Sequence, residues 1–341
     1  MTMLIRSFLI LYIASMGAFA ANCKISIKDI TGKDVCIPPK IKKIAVTCYG
    51  GASQEIALFM GGDAIVAQPS VDRFQQFLKV YPDLKDIKSA GTFNDVNLEY
   101  LSKLDPDIVF AGITSSATNN RIEEMNIPVF TLGIGKHNIH TLLEEFSHVG
   151  KILKKEQKAK ELVRYWQTKI NLVETRLSNI KPSKRKKVFY TSGSGGLSSE
   201  NKHGWGNEFI RASGGINVAS ELKIKGSVSA ETLLAWDPDI IITSTNKTPH
   251  SPTSDIAKNI AFKNLTAVKN KTVYNAPIGT FWWDRPSPES ILGILWLSKI
   301  LYPEVMKDID LKQEAKSFYK KFYNYALSDN EYEDFFFNKH K

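Results

Sequence analysis

Two stretches of this chain are nearly the same. Residues 98–110 read LEYLSKLDPDIVF and residues 230–242 read AETLLAWDPDIII. Glu99 and Glu231, Pro106 and Pro238, and Asp107 and Asp239 are each 132 positions apart, with no gap between matched positions. In both copies a helical spacing of apolar residues runs into Asp-Pro-Asp. Proline cannot continue a helix, and it biases the residue before it toward extended backbone. A short β-branched run follows, which reads as a buried strand. A helix–turn–strand unit repeated this far apart restricts the chain to two similarly built α/β halves. The turn accounts for proline and aspartate but not for a glutamate eight residues before the second aspartate. A carboxylate in the first helical turn suits the helix dipole by about 0.3–1 kcal/mol. A surface role for the pair is the other reading, and the residues alone leave both open.

The rest of the chain fits this frame. Residues 24–37 alternate around Thr31-Gly32-Lys33 and predict a β-hairpin. Short apolar runs at 42–48, 63–69, 106–112 and 127–133 alternate with helical segments, the pattern of a parallel sheet covered by helices. Residues 138–180 contain no proline and one glycine, Gly150. Leu142, Leu143, Phe146, Val149, Ile152 and Leu153 form one apolar stripe, and Leu162, Val163, Trp166, Ile170 and Val173 another. One helix is expected up to Gly150 and a long one from about 156 to 179. The strand–helix alternation then resumes, and DNEYEDFFFNKHK closes the chain as a docked extension or a frayed end. The predicted organisation is an N-terminal lobe over 21–147, a connecting helix over 148–182 and a C-terminal lobe with C-terminal helices over 183–341.

Composition narrows the class. At 341 residues, 43% hydrophobic and 23% charged, the chain is neither disordered nor a coiled coil. Residues 1–20 place Arg6 before an apolar run that ends in Ala18-Phe19-Ala20, the order of a cleaved signal peptide. Asn22 occupies the position before Cys23 where a lipid-anchored protein has a small residue, so a soluble exported protein is expected. Export permits disulfides, and Cys23 and Cys36, flanking the hairpin, are the expected pair. Cys48 is then a small buried residue at a strand end. The formal charge of +10 suggests an acidic or anionic partner. No aromatic–basic repeat or nucleic-acid motif accompanies it.

Several stretches together resemble a known family, the substrate-binding proteins of ABC importers for iron–siderophore complexes, haem and cobalamin. They are DITGKDVCIPPKIKKIAV, AGTFNDVNLEYLSKLDPDIVFA, VSAETLLAWDPDIIIT and LTAVKNKTVYNAP, in family order over about 25–330. The resemblance implies two Rossmann-like α/β lobes with parallel sheets, joined stiffly by one long helix, with ligand in the cleft between them. It implies a monomeric periplasmic protein with no intrinsic cofactor, which delivers a metal chelate to a permease dimer. Glu99 and Glu231 match the family's surface glutamates, which dock into arginine pockets of that permease.

Loops at the C-terminal ends of the strands should line the cleft. They nominate Tyr49, Thr92, Phe93, His203, Trp205, Trp282, Trp283 and Arg285. Three consecutive aromatics in FWWDRPSP cannot all bury on one face, and Arg285 suits a carboxylate or catecholate oxygen. The competing reading pairs Arg285 with Asp284 or Glu289 and places the tryptophans at the lobe interface. The histidines lack the convergent set of a bare-metal site, and His137 and His140 read as ordinary surface residues. His203, in a cleft loop, is the one candidate to complete a chelate's coordination. An iron(III)–siderophore-type complex is the favoured ligand; a nickel or cobalt small-ligand complex, haem or a corrinoid is the alternative. An α/β enzyme is the remote one, because SGSGG completes neither a dinucleotide fingerprint, a P-loop nor a nucleophile elbow.

Overall fold

A computed structural model describes residues 23–192, 194–223, 226–244 and 252–337; the expected signal peptide lies outside them. The described residues open with the hairpin β1 (Ser26–Lys28) and β2 (Asp34–Cys36). Cys23 and Cys36 are bridged across its open end, with Cα atoms 5.5 Å apart. The first lobe continues with β3 (Ile44–Val46), α1 (Ala52–Met60), β4 (Ile65–Ala67) and α2 (Gln75–Val80). The short hairpin β5 (Gly91–Thr92) and β6 (Asp95–Val96) precedes α3 (Leu98–Leu104), β7 (Ile108–Gly112), α4 (Ser116–Glu124) and β8 (Val129–Leu132). Its sheet runs β4-β3-β7-β8, all parallel.

Two helices follow, α5 (Ile139–Ile152) and α6 (Glu156–Leu177). The second lobe contains β9 (Lys187–Ser192), β10 (Ser198–Ser199), α7 (Trp205–Ala212), β11 (Ile216–Asn217), β12 (Gly226–Ser227), α8 (Ala230–Trp236), β13 (Ile240–Ser244), α9 (Pro252–Lys258), α10 (Thr266–Lys269) and β14 (Val273–Asn275). Strands β11, β9, β13 and β14 are mutually parallel, and β10 and β12 add antiparallel at one edge. Among the described residues, three α-helices follow: α11 (Ser290–Leu301), α12 (Leu311–Phe318) and α13 (Asp329–Phe337).

The repeated motif has the same job in each lobe. Asn97 and Ser229 cap α3 and α8, accepting from the amides of Tyr100 and Thr232. The first aspartate of each Asp-Pro-Asp ends its helix in left-handed backbone, φ 49° at Asp105 and 40° at Asp237. The second aspartate sets the register of the neighbouring strand. Asp107 Oδ2 accepts from the amides of Lys42 and Lys43 at 2.7 and 2.9 Å, and Asp239 Oδ2 from that of Lys187 at 2.7 Å. Leu101 and Leu233 are both fully buried, each in a cluster on the outer face of its own sheet.

The inner faces share one hydrophobic core that runs through both lobes. Helix α6, about 33 Å long at 1.5 Å per residue, bridges them and is narrower than the 148–182 segment expected. At its start, Lys158 Nζ donates to the Leu58 carbonyl at 2.6 Å. At its end, Arg176 pairs with Asp308 and Leu177 packs against Gly214. The chain's end crosses back as well: Tyr323 meets Tyr81 edge-on at 6.2 Å, and Lys79 lies 3.9 Å from Asp334. The C-terminal segment therefore docks across both lobes and does not belong to the second alone.

The twin left-handed aspartates should respond differently to glycine, which adopts that backbone freely. Asp105 is 90% exposed, so Asp105→Gly should leave stability within about 0.5 kcal/mol of wild type or raise it. Asp237 accepts from Thr266 N and Oγ1, both at 2.7 Å. Asp237→Gly should cost about 1–2 kcal/mol in urea unfolding; equal responses would contradict this assignment.

Candidate functional site

The C-terminal ends of the parallel strands face each other across a cavity of about 490 Å³. The first lobe contributes Tyr49 and Gly50, just past β3, and Ile134, Gly135 and Lys136, just past β8. The second contributes Tyr190 and Ser192 from β9, and Glu200, Asn201, His203, Gly204 and Trp205 leading into α7. Asp284, Arg285 and Pro286, from the segment after β14, complete the wall.

Of the residues nominated from sequence, Tyr49, His203, Trp205 and Arg285 share this cavity. Tyr49 is 37% exposed, whereas Trp205 is 3% exposed and presents only part of its ring. The other four do not line it. Trp283 is fully buried, edge-on to Phe335 and Phe336 at 5.8 Å each, so the C-terminal helix claims it for the core. Trp282 is 5% exposed and packs on Phe74 at 4.7 Å; its ring supports the Arg285 guanidinium, 4.1 Å from the centroid. Phe93 occupies the two-residue turn between β5 and β6 in left-handed backbone and stands behind Tyr49 at 6.1 Å. Thr92 is held in that hairpin against Asp95.

Charges of both signs meet in the cleft. The Arg285 Nε and Nη2 donate to Ser244 Oγ at 3.3 and 3.1 Å. The Tyr190 hydroxyl donates to Asp284 Oδ2 at 2.8 Å. Burial raises the Asp284 carboxyl, with Arg285 pulling the other way, and burial pushes the Tyr190 hydroxyl well up, so it stays neutral. Glu200 Oε2 accepts from the Gly206 amide at 2.8 Å and so occupies the electropositive start of α7.

Buried groups that the sequence reading missed shape the first-lobe wall. His137 is buried, not the surface residue expected, with Nε2 3.0 Å from Glu145 Oε1. Glu145 Oε2 accepts from the Gly133 amide at 2.8 Å. This pair holds the 133–137 loop while Ile134 sits at φ 37°, a strained conformation for a β-branched side chain. Gly50 admits that side chain, since a Cβ there would lie 2.5 Å from Ile134 Cγ2. Glu55, buried on the same side, is pushed up by burial and by the charge of Glu145. Among the described residues no cluster of three or more His, Cys, Asp or Glu could hold a metal ion.

The segment carrying Arg285 is anchored by Glu289, whose Oε1 accepts from the Phe281 amide at 2.7 Å. Burial raises this carboxyl from 4.5 to about 7, with the Phe281 amide opposing. The unfolded chain loses that proton first, so the contribution of Glu289 to stability should fall by roughly 3 kcal/mol at most between pH 4.5 and 7 and level off above. Glu289→Gln should flatten that part of the profile in thermal melts; an unchanged slope would contradict a neutral Glu289.

The comparisons agree with this architecture. Residues 46–278, more than half of the chain, match the family model described as periplasmic binding protein. The molybdate-binding protein MolA of Haemophilus influenzae is 27% identical over 350 residues, covering 94% of this chain and 97% of the relative. The Fe(3+)-citrate-binding protein YfmC of Bacillus subtilis is 26% identical over 200 residues, covering 59% and 62%. The crystal structure of a periplasmic solute binding protein from Veillonella parvula superposes with a TM-score of 0.79 at 28% identity, covering 92% and 96%. With the family model matched over more than half of its length, the chain belongs to the periplasmic binding protein family.

Proposed function

We propose that this protein captures an iron(III)-chelate of the siderophore type in the cleft and hands it, as a soluble periplasmic monomer, to a permease dimer. The observation that carries this is the cleft: a cavity of about 490 Å³ walled by Arg285, Lys136, Tyr49 and Trp205. That is within the range of small-molecule sites, about 300–1,000 Å³. Since one liquid water occupies about 30 Å³, a five-atom oxoanion would leave much of it empty. An anionic chelate fills it better, with the guanidinium and ammonium facing its oxygens. The iron–citrate relative points the same way. A second reading, molybdate, has its own support in the relative that spans 94% of the chain.

Delivery is assigned to Glu99 and Glu231, both exposed in the first turns of α3 and α8. Bidentate pairing with permease arginines would fix orientation. The chemistry is binding rather than turnover, and no resident cofactor is assigned.

Quenching of intrinsic tryptophan fluorescence by ferric citrate, a ferric catecholate and molybdate should show saturable binding of at least one ferric chelate, tighter than of molybdate. Tight binding of molybdate alone would replace the first reading with the second. Glu99→Ala combined with Glu231→Ala should leave chelate affinity within about twofold and cut uptake by cells at least tenfold, the loss expected when charge-assisted pairs are removed. Uptake equal to wild type would refute the docking role.

A further inference from the structure

Building on the reading of the cleft as an anion site, we propose that Arg73 is a second ligand-recognition residue. The ligand is then a metal chelate bearing at least two separated oxyanion groups.

Arg73 precedes α2 and is exposed. Its guanidinium carbon lies 5.3 Å from the Tyr49 ring centroid, 5.9 Å from that of Phe74 and 5.7 Å from that of Trp282. The guanidinium carbon of Arg285 lies 4.1 Å from the centroid of the same Trp282 ring. Two arginines more than two hundred positions apart thus share one indole, their guanidinium carbons no more than about 10 Å apart by those two distances.

Stacking uses the face of a guanidinium and leaves its N–H edge for an acceptor in the plane. Arg285 spends part of that edge on Ser244. Arg73 makes no hydrogen bond or ion pair among the described residues. Two like charges around one ring repel each other, and an anion reaching both relieves that repulsion. Arg285 lines the cavity, while Arg73 is not part of that wall and lies against the ring of Tyr49, which is. A ligand that touches both extends from the cavity past Tyr49. A chelate with oxyanion groups on two sides of the metal has that reach, and a compact tetrahedral oxoanion does not. The rings beneath Arg73 belong to Tyr49 and Phe74 of the first lobe and to Trp282 of the segment after β14, so the residue recognises ligand where those parts meet.

The test is fluorescence titration of wild type, Arg73→Ala and Arg73→Lys with ferric citrate, a ferric catecholate and molybdate, alongside melting temperatures. Arg73→Ala should weaken the ferric chelate that wild type binds by about tenfold or more, at an unchanged melting temperature. Arg73→Lys should recover only part of the loss, because an ammonium cannot reproduce the planar fork. Molybdate binding should stay within about twofold. Undiminished chelate binding in Arg73→Ala overturns this inference alone. An equal loss for molybdate overturns the two-group ligand class. A wild type that binds none of the three overturns the proposed function and this inference with it.

Discussion

The structure depends on burying one irregular segment, residues 276–289, between the two lobes. Polar backbone removed from water must find partners, and here most of them come from other parts of the chain. Gln54 of α1 donates to the Thr280 carbonyl at 3.2 Å, the Tyr319 hydroxyl accepts from the Thr280 amide at 3.0 Å, and Glu289 receives the Phe281 amide. Trp166, fully buried midway along α6, donates from Nε1 to the Pro288 carbonyl at 2.9 Å. The Trp283 carbonyl lies where a Cβ on Gly293 would come within 2.2 Å, so α11 can approach only because that position is glycine. First lobe, bridging helix and C-terminal helices are all committed to this one stretch.

That convergence explains the character of the cleft. The segment that locks the lobes together also delivers Asp284 and Arg285 to the cavity wall. Their positions are therefore held by core packing and not by a free loop, which is how a binding site keeps its geometry without a ligand present. Moving one lobe against the other would disturb α6, the buried segment and the C-terminal crossing at once.

Much of this was legible in the sequence. The Asp-Pro-Asp echo predicted two like halves, and its local chemistry is self-contained: proline ends the helix, an aspartate tolerates left-handed backbone, and the next aspartate binds amides of the adjacent strand. The proline-free stretch over 138–180 predicted the bridge, and the loops after β3, β9 and β14 supplied Tyr49, His203, Trp205 and Arg285 to one cavity. The misses share a cause. Trp282 and Trp283 sit in the right loop, but their direction was decided by Phe74 and by Phe335 and Phe336, which are remote in sequence. His137 looked like a surface residue because Glu145, its partner, lies two helical turns away and both needed the neighbouring sheet to bury them. Arg73 carried no local signal, since two of the rings around it come from other segments.

By itself, then, the sequence determined the periodicities, the helix stops and the two-lobe plan, because those depend on interactions within a few residues or on a repeat that can be counted. Only the tertiary structure decided which aromatics face the core, which arginines share a ring and which carboxyls burial pushes up. Those outcomes depend on burial and on partners brought together from distant positions, and no local pattern encodes how far a side chain ends up from water.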